Sequence, residues 1–225
     1  MIRTIYHGSN HIIENPVYGL GKPYNDYGRG FYCTENMDMA KEWGVDKDRD
    51  GVANCYTIDC TDLIILDLND QNYTILHWLC ILLENRSFDI TSVLASQARE
   101  YIMDHFKIKY EKYDCIIGYR ADDSYFSFAQ DFLNGTISYR QLGNAMHLGK
   151  LGQQFVLKSK KSFERLSFNG FETAGSSEWY SKRMERDHEA RKQYFNKEKN
   201  KIQPGDIFIT QILSEEMKSD DPRLR

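Results

Sequence analysis

Two short stretches of the 225-residue chain carry residue types that could do chemistry together. One is Tyr6-His7-Gly8-Ser9. The other is Asp26-Tyr27-Gly28-Arg29-Gly30-Phe31-Tyr32-Cys33-Thr34. Gly28 and Gly30 lack a Cβ, so the backbone can turn tightly there or lie against another group. Phe31-Tyr32 then starts an extended segment and sets an aromatic ring beside that bare backbone. Such a ring is one way to hold a flat ligand; the plainer alternative is a glycine turn before a core strand. His7 supplies an imidazole that can donate and accept near neutral pH. Alone at a strand end it reads as structural, but the Gly8-Ser9 neighbours and the second stretch favour a binding role. A third cluster, Arg120-Ala121-Asp122-Asp123, follows a short apolar run and reads either as a salt-bridged loop or as part of a site.

The elements that must position these groups can be read from periodicity. Thr4 to Gly8 reads as a strand, 14–27 as a loop rich in Gly, Pro, Asn and Tyr, and Phe31 to Cys33 as a second strand. Glu35 to Trp43 reads as a helix capped by Thr34. A charged turn at 46–51 precedes strands at Val52–Asp59 and Leu63–Leu68. Ile75, Leu76, Leu79, Leu82 and Leu83 give a helical stripe within 73–85, and more helix is expected in 87–106. Tyr113 to Gly118 reads as a strand, 124–133 and 138–148 as helices, and Gln153 to Ser159 and Phe163 to Phe168 as strands. A charged helix over 177–200, with Tyr180, Met184 and Phe195 as its inner stripe, leads to a last strand at Asp206–Leu213.

Composition bounds the function. Net charge is −4 with a pI near 5.9, which gives no general pull toward nucleic acid or an anionic membrane. The five cysteines form no C-x-x-C pair, so buried reduced thiols are expected rather than disulfides or a metal site. The N-terminal run lacks signal-peptide architecture, and the most apolar run, Trp78 to Leu83, is too short to span a bilayer. A cytoplasmic location with no membrane partner is the expectation.

The matching stretches Tyr6–Ser9, Asp26–Trp43, Tyr113–Phe126 and Leu148–Ser159 together carry a resemblance. In this order they resemble the diphtheria-toxin and poly(ADP-ribose) polymerase branch of the ADP-ribosyltransferases, and a bacterial family known as domain of unknown function 3990 within that superfamily. The resemblance implies an α+β fold with a split antiparallel β-sheet core and flanking helices over residues 1–175. A C-terminal helix and strand, 176–225, would dock on it. It implies NAD as substrate and no metal. Gly8 would offer backbone N–H and C=O to the nicotinamide amide, His7 a bond to a ribose hydroxyl, and Tyr32 a stacking face with Tyr27 opposite. Gly30 belongs to the same Gly-x-Gly-aromatic-Tyr pattern. Arg29 and Arg120 are the phosphate candidates. Asp122 or Asp123 would orient a catalytic group or the acceptor.

Where the family pattern has a glutamate beside the reacting ribose, this chain has Gln153 and Gln154; the aromatic Phe155 favours Gln154, but Gly152 resembles a loop end and makes Gln153 the residue expected beside the nicotinamide ribose. Glutamine accepts a hydrogen bond but cannot serve as a general base. A mono-ADP-ribosyltransferase, a pentosyltransferase that releases nicotinamide, is therefore the expected activity rather than chain growth. An NAD glycohydrolase and an inactive NAD-binding module are the alternatives. The acceptor is open among protein, nucleic acid and small molecule. Analogy with other small transferases adds the expectation of a bacterial toxin with a cognate antitoxin. Lys158, Lys160 and Lys161 form a small basic cluster near the proposed site strand.

Overall fold

In the computed structural model, described over 1–121, 123–148 and 152–225 and for Asp123 in its backbone alone, the chain forms an α+β fold with two sheets. Strands β1 (Ile2–Ser9), β3 (Gly51–Asp59) and β7 (Leu166–Ala174) make the first, antiparallel throughout, with β3 central. Strands β2 (Phe31–Cys33), β6 (Gln153–Leu157), β5 (Cys115–Tyr119) and β4 (Ile65–Asp67) make the second, in that order. It is not purely antiparallel: β4 runs parallel to β5.

Between the sheets lies an apolar layer built by Ile5, Tyr56 and Ile58 from one side and Cys33, Cys115, Phe155 and Leu157 from the other. The larger core sits on the opposite face of the second sheet. It gathers helices α2 (Ile75–Asn85), α3 (Val93–His105), α4 (Asp123–Leu133) and α5 (Tyr139–Ala145) around Trp78, Leu79, Phe128 and Phe132. Their starts are set locally. Thr74 and His77 form a capping box on α2, and Ser138 and Gln141 form one on α5, each satisfying amide groups the helix itself leaves open. The five cysteines are free thiols, four of them buried. No helix among the described residues is long and apolar enough to cross a membrane.

The remaining helices correct several sequence expectations. Helix α1 (Met37–Gly44) is capped by Asn36, whose side chain accepts from Met39 N–H, not by Thr34. Over 160–164 a single turn, α6 (Lys160–Glu164), replaces the start of the expected strand, because the Ser159 hydroxyl caps it. On α7 (Ser176–Gln193) and the π-helical turn after it (Tyr194–Lys199), the inward residues are Trp179, Ala190 and Tyr194. Met184 and Phe195 face out. The 206–213 segment is not a strand. It forms helix α8 (Ile209–Ser214), because Ile209 and Ile212 lie one turn apart and bury on one face. Tyr194, Ile209, Ile212, Met217 and Leu224 all join the larger core, so the C-terminal segment packs on the same body.

Candidate functional site

The two sheets are tied at one point. Tyr6 and Thr34 exchange both backbone hydrogen bonds, at 2.8 and 2.9 Å, as an isolated bridge between β1 and β2. Backbone groups alternate sides along a strand, so the N–H and C=O of Gly8 point to the same edge as those of Tyr6. There the next rung would join Gly8 to Tyr32. Instead the His7 ring fills the gap, with Nδ1 at 2.7 Å from the Tyr32 carbonyl and its face stacked on Phe31 at 4.2 Å. A carbonyl only accepts, so Nδ1 carries the proton and Nε2 is left as an acceptor. Burial lowers the His7 pKa from its ordinary value, which keeps the ring neutral at pH 7.

Gly8 is required by packing as well. A Cβ there would stand 2.0 Å from the Ala40 carbonyl and 2.8 Å from Gly44 N, because α1 crosses directly over the strand. Asn54 of β3 holds the turn that follows, donating to the His7 carbonyl and the Ser9 hydroxyl and accepting from Ile13 N–H.

A cleft of about 600 Å³ opens at this split. His7, Gly8, Gly30, Tyr32, Arg120 and Gln154 line it together, with Asp26, Trp43 and Arg86. The phenol of Tyr32 is already engaged, donating to the Gly28 carbonyl at 2.5 Å and accepting from Tyr27 N–H at 3.0 Å. It therefore holds the 27–32 turn, whose Gly28 has φ +69°. The glutamine in the cleft is Gln154, 6% exposed, not the expected Gln153, because successive residues of β6 point to opposite faces. Gln153 is exposed, donates to Asn69 at 2.7 Å and lines a smaller groove of about 260 Å³ beyond Gln154.

The other sequence candidates lie elsewhere. Tyr27 is fully buried in the larger core and donates to the Tyr119 carbonyl at 2.6 Å, so it offers no face to the cleft. Arg29 is exposed and ties down the neighbouring loop through the Gly19 carbonyl. Arg120 reaches the cleft and lies over the Trp43 ring at 4.5 Å. Asp122 and the side chain of Asp123 lie outside the described residues. The three lysines form no single patch. Lys160 is exposed and Lys161 pairs with Asp114 at 3.8 Å. Lys158 donates to the Tyr27 and Arg29 carbonyls, and desolvation lowers its pKa to about 8.

Sequence reading assigned no role to three residues that build the cleft. Asp26 is 5% exposed, and among the described lining residues it is the sole carboxylate. Its Oδ1 accepts from Arg86 at 2.8 Å. Its Oδ2 accepts from Ala121 N–H at 2.9 Å and from Gln154 Nε2 at 3.3 Å. Burial raises its pKa, opposed by these donors and by the charge of Arg86. Trp43 lines the cleft with a buried indole N–H that has no hydrogen-bond partner among the described residues, and Gln154 Oε1 is buried and unpartnered in the same sense. A carboxylate immediately before Tyr27-Gly28 was the available signal for Asp26. Among the described residues no cluster of His, Cys, Asp and Glu could hold a metal ion.

A family model described as a protein of unknown function (DUF3990) matches residues 3–168. The chain belongs to this family. Every residue that lines the cleft falls within the matched DUF3990 span. No curated protein and no solved structure matches the chain.

Proposed function

We propose that this DUF3990 protein is an NAD-dependent mono-ADP-ribosyltransferase, passing one ADP-ribose unit to a nucleophilic acceptor and releasing nicotinamide. What carries the reading is the convergence of His7, Gly8, Tyr32 and Gln154 on one cleft at the split between the sheets. The open edge at Gly8 suits a planar carboxamide, which needs one donor and one acceptor side by side. Nicotinamide would lie against that edge beside the Tyr32 ring, since the Phe31 face is already stacked on His7. The His7 Nε2 is available to a ribose hydroxyl. Arg86, Arg120 and Lys22 give the cleft wall the positive charge that a pyrophosphate requires.

In the reaction the bond between nicotinamide nitrogen and the ribose carbon breaks, and its electron pair leaves with nicotinamide. The ribose carbon becomes oxocarbenium-like and is attacked by the acceptor, which loses a proton. Gln154 Oε1 would hold a ribose hydroxyl, and the Asp26 carboxylate supplies the negative charge that favours the developing cation. Gln154 stands where the family has its glutamate and cannot serve as a general base, which fits transfer of a single unit to an acceptor that is itself nucleophilic.

The test is nicotinamide release from NAD by the purified protein, with and without cell lysate, beside His7→Ala and Gln154→Ala. Release that needs lysate and disappears in both variants supports a transferase, and the labelled fraction holds the acceptor. Release without lysate makes water the acceptor and the protein a glycohydrolase. NAD binding without release under either condition identifies a binding module.

A further inference from the structure

Asp26 meets three neighbours, and all three donate to it: Arg86 Nη1, Ala121 N–H and Gln154 Nε2. That set matches an ionised carboxylate. An ionised carboxylate only accepts, so it fixes which end of the Gln154 amide faces it. The nitrogen must point at Asp26, and the oxygen must point away. Gln154 Oε1 is then a buried acceptor without a partner among the described residues. Such an atom costs stability, and a hydrogen-bond donor brought by a ligand would relieve that cost. Gln154 is also the one described residue common to the main cleft and the smaller groove behind it.

We propose that Asp26 is the positioning residue of the cleft, holding the Gln154 amide so that Oε1 is presented to a hydrogen-bond donor on the bound ligand. That this donor is a ribose hydroxyl of NAD rests on the function proposed above; the fixed orientation of the amide does not. A neutral residue at 26 frees the amide to turn, because an Asn side chain can present either its oxygen or its nitrogen to Gln154. The acceptor is then replaced by a donor for part of the time, and a ligand hydroxyl loses its site.

The experiment is a double-mutant cycle on NAD affinity with Asp26→Asn and Gln154→Ala, together with the side-chain amide NMR signals of Gln154. Each single variant is expected to weaken NAD binding about tenfold, the worth of one hydrogen bond to a buried group. The double variant is expected to be no weaker than the worse single, because Asp26 acts through Gln154. Losses that multiply to about a hundredfold would overturn the proposal. If the parent protein binds no NAD, the proposed function fails. The Gln154 side-chain signals then decide the positioning role: a shift in Asp26→Asn upholds it, and unmoved signals overturn it. Should Asp26→Asn fail to fold, Asp26→Glu keeps the charge and displaces the amide by one methylene, and it is read in the same two ways.

Discussion

Tyr6 and Gly8 lie two residues apart on one strand and face the same neighbour, yet they meet opposite fates. Tyr6 is zipped to Thr34 by two backbone hydrogen bonds. At Gly8 the ladder has stopped, and the His7 ring takes the carbonyl of Tyr32 that the next rung would have used. A side-chain bond stands where the next backbone rung would be, and β1 and β2 belong to two separate sheets. The comparison separates groups that keep the strands together from groups that keep them apart.

The largest effect should come from the residue that serves both ends. Gly8→Ala places a Cβ 2.0 Å from the Ala40 carbonyl, so α1 must lift off β1. A loss of about 3 kcal/mol or more is expected from denaturant unfolding. Gly143→Ala, on α5 where nothing lies within 4 Å of a new Cβ, should instead gain about 0.5–1 kcal/mol. Equal effects at the two glycines would refute the packing role given to Gly8.

Next is the wedge itself. His7→Ala removes the bond to the Tyr32 carbonyl and the stack on Phe31. Stability should fall by about 1–2 kcal/mol, and nicotinamide release should be abolished. Tyr27→Phe gives the opposite split. It deletes the bond to the Tyr119 carbonyl at a cost of about 1 kcal/mol, while NAD turnover stays at the parent level because Tyr27 lies outside the cleft. Gln153→Ala should likewise leave turnover unchanged, where Gln154→Ala stops it.

These contrasts also show what was legible in the chain. The apolar alternation in β1 and β3 and the leucine spacing of α2 identify their elements, although α2 itself is buried on all sides from Leu76 to Leu83. Segment 206–213 does not: the apolar run Ile207-Phe208-Ile209 carries no period, and the helical spacing lies only in the pair Ile209 and Ile212, which buries in α8 where that helix meets α3. The site was half legible. His7, Gly8 and Tyr32 stand in short motifs, whereas Asp26 and Arg86 are 60 residues apart and meet only after folding. Tyr27 stands beside Gly28 in sequence but points into the core. Which glutamine enters the cleft depends on the register of β6 against β5, where Gln154 pairs with Gly118, and a one-residue slip would exchange the two.

The smallest expected effect is in pH dependence. Burial lowers the pKa of His7 and of His77 below the ordinary 6.5. Their neutral forms therefore stabilise the fold above pH 6.5. As pH falls below that value the unfolded chain takes up protons that the folded chain refuses, so stability declines, by at most about 1.4 kcal/mol per pH unit for each ring. His77→Gln keeps the α2 capping box, since Gln serves at that position, and should remove the His77 share of the decline. Unfolding curves at pH 7.5 and 5.5 for the two proteins measure it. An unchanged decline would mean that His77 does not titrate with folding.

The claim at the centre is that the open edge at Gly8 holds the nicotinamide end of NAD. Titrating nicotinamide into the ¹⁵N-labelled protein and following the Gly8 amide tests it most directly. A saturable shift of Gly8 N–H, shared by Tyr32 and absent at Gly170 in β7 and at Gly205 in the turn before α8, neither of which lines the cleft, is the expected result. A Gly8 amide that stays still while nicotinamide binds elsewhere, or no response anywhere to nicotinamide or NAD, would contradict it.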